Sequence, residues 1–476
     1  MGNMKCTRTP KIILVPYPAQ GHVTPMLKLA STLARRGFDP VMIIPEFIHQ
    51  RIMASTNPKT TKIEFTSIPD GLKMDVPRDF FSIEKAMEKT MPTHLERLLG
   101  KFDEDGQPVA CLIVDLLASW AIEVGQRCRV PVAGFWPAML ATFKLISAIP
   151  DMVRNGLISE DGNPQHQGPI CFLPNQQLML SPGDLPWLIG SPASRNARFQ
   201  FWRRTLSRSR NLPWLLVNSF PEECPDHNEA YKPRHDDDHH HHKPLIVQVG
   251  SLSEHARVKN PSLWDEDMSC LKWLDKQKPG SVMYISFGSW VSPIGEEKVR
   301  SLALALEAMK QSFLWVLGPN WRDGLPSGFL DRASKQGKVV SWAPQVKVLK
   351  HKAVGCFLTH CGWNSTMEAI RCKKRLLCYP VAGDQFLNYV YIVEKWKIGG
   401  RLNGFERKEV EEGWRKVMND DGMNHRLMKL QEMTMGEEAN SRMVSRLTCF
   451  LDDLEKMMLR DDLCSELLNI VNPFGI

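Results

Sequence analysis

Val354-Gly355-Cys356-Phe357-Leu358-Thr359, followed at once by His360-Cys361-Gly362-Trp363-Asn364-Ser365-Thr366-Met367-Glu368, decides how this chain folds. A short apolar run that ends in a glycine turn reads as a strand buried on both faces. Gly362 permits a tight turn and close backbone approach. The helix is expected to begin at Ser365, and Ser365-x-x-Glu368 has the form of a capping box. The same place also suits a ligand. N–H groups near Asn364 and Ser365, with the helix dipole behind them, favour a diphosphate, and His360 adds a hydrogen bond. On these residues alone, cap and anion site both stay open.

Working outward, strand-like and helix-like segments alternate on both sides of this unit. Val282 to Phe287, Phe313 to Leu317, Lys338 to Trp342 and Leu376 to Tyr379 read as strands, with Glu296 to Lys310 a helix among them. In the N-terminal half, Lys11 to Tyr17, Asp39 to Pro45, Cys111 to Asp115 and Val130 to Phe135 read as strands, with helices at Thr24 to Arg36 and Leu116 to Arg127. Alternation of this kind means βαβ units and parallel sheets. In such sheets ligands gather at the carboxyl ends of strands. Two such points carry suitable chemistry, Gly21-His22 after the first strand and His360 to Glu368. One lies in each half, as expected of two domains and a reaction in a cleft between them.

The length of 476 residues also asks for two domains. Pro221 to Pro244 reads as a solvated linker, with Asp236 to Asp238 and His239 to His242. Four histidines in a low-complexity loop cannot preorganise metal ligands. The expected division is residues 1–245, with the linker at about 221–262, then 246–460, then a loose tail over 461–476. Residues 70–100 and 140–210 carry the weakest patterns and read as loops and mixed helices that would recognise a substrate.

Composition excludes several classes. With 43% hydrophobic and 24% charged residues the chain is globular. A net charge of +7 without basic tracts gives no case for nucleic acid. None of the twelve cysteines forms a C-x-x-C pair, so reduced thiols in a cytosolic protein are expected. No apolar run reaches the ~18–20 residues of a membrane helix. No G-x-G-x-x-G follows either domain's first strand, which argues against a dinucleotide oxidoreductase.

A wider resemblance then bears on the open choices. Trp342-Ala343-Pro344-Gln345, His351, Ala353-Val354-Gly355, Thr359 to Glu368, Pro380 and Asp384-Gln385 span 44 residues. This stretch resembles the signature box of plant family 1 UDP-dependent glycosyltransferases. Pro18 to Met26 resembles that family's opening motif, and Cys270 to Asp275 with Ser281 to Ser289 resembles the start of its C-terminal domain. Gly183 to Leu188 and Trp290 to Gly295 resemble the family 82 subgroup. The resemblance covers residues 10 to about 455. It implies the GT-B fold, two facing Rossmann-like doubly wound domains with an interdomain cleft.

It also implies roles. Trp342 would stack on uracil, whose edge the Ala343 backbone would read. Gln345 and Glu368 would meet the ribose hydroxyls. Ser289, His360, Asn364 and Ser365 would hold the diphosphate, with Gly362 allowing its approach. Trp363, Asp384 and Gln385 would contact the sugar, and Gln385 stands where the family associates glutamine with glucose. His22 would be the general base, with an imidazole pKa suited to taking a hydroxyl proton. Asp115 would orient it, as the carboxylate does in a Ser-His-Asp triad. Taken singly, His22 reads as an exposed loop histidine and Asp115 as a helix N-cap. The implied reaction moves glucose from UDP-glucose to a hydroxyl or carboxyl of a small lipophilic acceptor. It inverts the anomeric centre and needs no metal and no cofactor. The expected partners are the UDP-sugar and the acceptor, with no nucleic acid and no stable membrane insertion, for a monomeric chain.

Five positions depart from the family. Lys373-Lys374-Arg375 replace the usual Gly-Val-Pro. Three cations cannot be buried unpaired, so they are expected on the surface of a turn. Tyr379 stands where tryptophan is common. Pro137 replaces a hydroxyl residue near the sugar, which bears on donor preference. Rival readings are a transferase using another UDP-sugar, a UDP-sugar-binding protein without turnover, and a nucleotide-sugar epimerase.

Overall fold

The computed structural model describes residues 9–55, 62–73, 79–170, 179–220, 244–250, 264–288 and 294–471. The His-rich stretch and Ser289 lie outside these. The chain forms two compact units. The first comprises Met1–Pro137, Arg204–Leu263 and Asn440–Ile476, and the second Ala138–Arg203 and Trp264–Ala439.

The first unit holds a seven-stranded parallel sheet. Its strands are β1 (Lys11–Val15), β2 (Asp39–Pro45), β3 (Glu64–Ile68), β4 (Val109–Asp115), β5 (Val132–Trp136), β6 (Trp214–Val217) and β7 (Leu245–Gln248). Their order is β3-β2-β1-β4-β5-β6-β7. Ile12 to Val15 and Cys111 to Val114 are fully buried, as strands covered on both faces must be. The second unit holds a six-stranded parallel sheet of β8 (Val282–Ser286), β9 (Phe313–Val316), β10 (Gly337–Val340), β11 (Val354–Thr359), β12 (Arg375–Cys378) and β13 (Gly399–Arg401). Its order, β10-β9-β8-β11-β12-β13, repeats that of the first six strands. In each sheet the order reverses at one place, between β1 and β4 and between β8 and β11. That switch point is where an open parallel sheet leaves a crevice for ligands.

Several expectations need correction. The division at 245 cuts into β7, which completes the first sheet beside β6. The stretch 440–460, expected in the second domain, belongs to the first unit. Leu447, Phe450, Leu451 and Leu454 of the helix Glu437–Val471 are buried in the first sheet's core. Phe450 meets Trp214 edge-on at 5.4 Å. Four such side chains contribute about 6–12 kcal/mol as an upper bound, ample to hold the helix there. The same helix runs to Val471, so 461–471 are helical rather than a loose tail, and 472–476 lie outside the described residues.

The weakly patterned regions mix helices with loops, as expected. Phe80–Glu104 is one helix, capped by Asp79, whose side chain accepts from the Ser82 N–H at 2.8 Å. It buries Ile83, Met87, Met91, Leu95 and Leu99 at intervals of four. Leu140–Ser147, Ile149–Arg154 and Pro192–Ser209 are helices too. Residues 138–203 pack with the second unit, where Arg401 of β13 opposes the rise that burial imposes on the Asp184 carboxyl's pKa. Among the described residues no helix is long and apolar enough to cross a membrane.

Candidate active site

At the switch point of the first sheet, β1 ends at Val15 and the chain enters the helix Gln20–Arg35 with Ala19 as N-cap. The helix begins four residues before the expected Thr24. His22 therefore sits in its first turn, held by its N–H to the Ala19 carbonyl at 2.9 Å, and not in a loop. β4 ends at Asp115, which is wholly buried. Asp115 Oδ2 lies 2.7 Å from His22 Nδ1, while Oδ1 accepts the Leu117 N–H at 2.9 Å. Cap and histidine partner are thus one residue using two oxygens. With Nδ1 on the carboxylate, His22 carries its proton there, and Nε2 is the nitrogen able to accept one. The imidazole is 20% exposed and its partner 0%. Tyr17 packs on it, with ring centres 5.3 Å apart.

At the second switch point, β11 ends at Thr359 beside Ser286 of β8. His360 and Cys361 follow, and the helix Trp363–Arg371 starts after Gly362 as N-cap. Ser365 is thus the third helical residue and not the cap. The N–H groups of Trp363, Asn364 and Ser365 have no carbonyl one turn back to bond within the helix. The capping box does not form. Ser365 Oγ and Glu368 Oε2 both accept from Gln345 Nε2, at 3.0 and 2.8 Å. Gln345 Oε1 in turn accepts from the buried Tyr284 hydroxyl at 3.0 Å. Three polar side chains that could meet hydroxyl groups are held in one network at the strand ends, with Tyr284 as a brace.

His360 is 7% exposed, and burial pushes its pKa down to about 4, opposed by the Ser286 main chain. It is a neutral imidazole at neutral pH and can donate a hydrogen bond but not a charge. Its ring is pressed between two glycines. A Cβ built on Gly288 would lie 2.7 Å from Nε2, and one on Gly362 2.4 Å. Gly288 also holds φ at +83°, which glycine alone adopts cheaply. Sequence reasoning missed Gly288 and Tyr284.

Trp342 is half-buried, its ring centre 6.0 Å from that of Trp264, and its carbonyl accepts the Asp267 N–H at 3.0 Å. Ala343 is buried. Trp363, buried, packs on Trp396 at 6.4 Å. Asp384 immediately precedes the helix Gln385–Val390, and its side chain makes no capping hydrogen bond. Gln385 Oε1 accepts from the N–H groups of Val381 and Ala382 at 2.9 and 3.0 Å, which orients its amide.

The substituted turn differs from expectation. Lys373 is exposed, with φ at +53°. It occupies the left-handed position that closes the helix Trp363–Arg371, and Lys374 N–H returns to the Ala369 carbonyl at 2.9 Å. Lys374 is half-buried, its ammonium donating to the carbonyls of His351 and Val354 at 3.1 and 2.8 Å. Burial lowers its pKa. Arg375 is buried inside β12, not on the surface. Its guanidinium donates to Asn424 Oδ1 at 2.9 Å and to the carbonyls of Val417 and Met418, in the last turn of the helix Arg407–Asn419. These three hydrogen bonds and a helix C-terminus make that charge tolerable. Pro137 is buried, its carbonyl accepting from Asn218 at 3.0 Å. Tyr379 packs at a tilt of 43° against Phe405, with ring centres 4.3 Å apart.

Comparison with known proteins identifies the family. The model of the family "UDP-glucoronosyl and UDP-glucosyl transferase" matches residues 260–437. UDP-glycosyltransferase 82A1 of Arabidopsis thaliana is 54% identical over 92% of this chain and 96% of its own. (R)-mandelonitrile beta-glucosyltransferase of Prunus dulcis is 28% identical over 94% and 97%. Among solved structures, a UDP-glucosyltransferase from Polygonum tinctorium capable of glucosylating indoxyl, in complex with 3,4-dichloroaniline, superposes with a TM-score of 0.78. It shares 25% identity over 95% of this chain and 100% of that one. At 54% identity to a relative matched over nearly its whole length, and with two parallel sheets of the same strand order, this chain belongs to the plant family 1 UDP-glycosyltransferases of the GT-B fold, in the family 82-like branch.

Proposed function

We propose that this glycosyltransferase moves glucose from UDP-glucose to a hydroxyl or carboxyl group of a small lipophilic acceptor, with inversion and without a metal ion. The observation that carries the reading is the 2.7 Å contact between His22 Nδ1 and the buried Asp115 carboxylate. It leaves Nε2 to take the acceptor's proton as its oxygen attacks the anomeric carbon. The new C–O bond forms as the bond to the diphosphate breaks, and UDP leaves with the electron pair. Asp115 steadies the imidazolium that results. One displacement inverts the centre, so UDP-α-glucose gives a β-glucoside.

The donor roles follow the second switch point. Trp342 stacks on uracil and the Ala343 backbone reads its edge. Gln345 and Glu368 meet the ribose. The first-turn N–H groups at Asn364 and Ser365, with neutral His360, take up the charge of the leaving diphosphate, the work a metal ion does in other transferases. Ser289 joins them by resemblance alone, since it lies outside the described residues. Trp363, Asp384 and Gln385 contact the sugar. Glucose as the donor sugar is supported by Gln385 and by the name of the Prunus dulcis relative, and β stereochemistry by the same name.

The test is proton NMR of the product made from UDP-α-glucose and an accepted phenol or alcohol. A β anomeric signal is expected. An α-glucoside, or preferential transfer of galactose when UDP-galactose is supplied in equal amount, overturns this reading.

A further inference from the structure

We propose that Asn388 is a positioning residue that ties the diphosphate turn to the sugar-contacting carboxylate and so fixes the donor site as one unit. The inference rests on the donor roles proposed above. Asn388 is 0% exposed, one turn into the helix that follows Asp384. Its amide nitrogen donates to the Cys361 carbonyl at 2.9 Å and to Asp384 Oδ2 at 2.8 Å. Both hydrogens of one nitrogen are therefore engaged, each on a different wall of the donor site.

The Cys361 end of this tie is under strain. Cys361 has φ at +66°, a left-handed conformation that a residue with a side chain adopts at a cost. Its N–H is held by Thr359 Oγ1 at 3.1 Å, and its carbonyl by Asn388. These two bonds fix the peptide groups that lead into Gly362 and the helix N-terminus. At the other end, the 2.8 Å bond fixes one oxygen of Asp384, next to Gln385, whose own carbonyl oxygen is pinned by Val381 and Ala382.

The third atom of the amide separates positioning from simple packing. Asn388 Oδ1 is buried with no hydrogen-bond partner among the described residues. A buried carbonyl with nothing to accept weakens a fold. A leucine of similar size would remove that defect. Leucine would also strip the Cys361 carbonyl and Asp384 Oδ2 of their donor, so what the asparagine supplies is two donors on one atom. Aspartate keeps the shape, but when ionised it offers no donor and sets a second negative charge against Asp384.

The experiment uses the full chain as wild type, Asn388→Leu, Asn388→Asp, Asp384→Ala and the Asn388→Leu/Asp384→Ala double variant. Calorimetry measures binding of UDP-glucose and UDP-galactose, with thermal unfolding alongside. Asn388→Leu is expected to melt modestly below wild type and Asn388→Asp lower still, because it buries a second carboxylate; both should bind UDP-glucose about tenfold or more weakly, with less preference for it over UDP-galactose. Adding Asp384→Ala to Asn388→Leu should cost under about threefold more, because the carboxylate is already misplaced. Wild-type affinity in a folded Asn388→Leu or Asn388→Asp protein, or two losses that multiply in full, overturns the inference alone. A wild-type protein that binds no UDP-glucose overturns the donor reading and the inference together.

Discussion

Replacing Gly362 with alanine drives a methyl group into the His360 ring. The added Cβ would lie 2.4 Å from Nε2, 3.0 Å from Cε1 and 3.2 Å from Cδ2. Comfortable contact begins near 3.4 Å, so the ring must retreat by about 1 Å or the turn must open. Retreat is blocked, because Gly288 lies against the same nitrogen and His360 is buried. Overpacking of this kind costs about 1–3 kcal/mol. For a unit of this size each kcal/mol lowers the melting temperature by roughly 2–4 °C. Binding should suffer more than stability, since the displaced turn carries the N–H groups meant for the diphosphate. The assay is thermal unfolding with calorimetric titration of UDP. Truncating the ring should relieve the clash, so Gly362→Ala/His360→Ala should melt higher than the sum of the two single losses. A Gly362→Ala protein with wild-type melting and wild-type UDP affinity would refute the argument.

Other consequences can be checked in the same preparations. Asp115→Asn keeps the shape but holds His22 in the wrong tautomer; by analogy with a catalytic triad, turnover should fall by about 10³–10⁴ with UDP binding unchanged, read by steady-state kinetics. Lys373→Gly should stabilise the protein by about 0.5–1 kcal/mol, because glycine takes φ near +53° without the side-chain penalty, and thermal unfolding reports it. His360 protonates near pH 4 in the folded protein against about 6.5 unfolded. The unfolded chain therefore binds more protons between those values, and folded stability is lost as pH falls through that window. Denaturant titrations at pH 7 and 4.5 should show that loss shrink by about 2–3 kcal/mol in His360→Asn.

The parts legible in the sequence were those with a local cause. The strand at Val354–Thr359 and its glycine turn could be read because a buried parallel strand is continuously apolar. Four of the first sheet's seven described strands and five of the second's six were read from the same pattern, while β3, β6, β7 and β13 were not. What escaped has physical reasons. Phe80–Glu104 repeats its buried residues every four positions, but Pro92 interrupts the helical reading. The affiliation of 440–460 depends on Phe450 reaching Trp214, more than two hundred residues away in the chain. Ser365 and Glu368 fit a capping box in one dimension. Gln345 draws both away, and nothing local announces that. Arg375 was expected outside because a lone buried cation is costly, and the acceptors that satisfy it come from a helix some forty residues on. Asn388 did carry a signal, its spacing of four from Asp384 on one helix face.

The most direct test of the central claim is to follow UDP release and glucoside mass from UDP-glucose and a panel of acceptor alcohols, phenols and acids in EDTA, for wild type and His22→Ala. Metal-free glucoside formation by wild type, lost in His22→Ala while UDP-glucose binding persists, is the predicted result. Undiminished turnover in His22→Ala, or a wild type whose activity disappears in EDTA and returns with a divalent cation, would contradict the account.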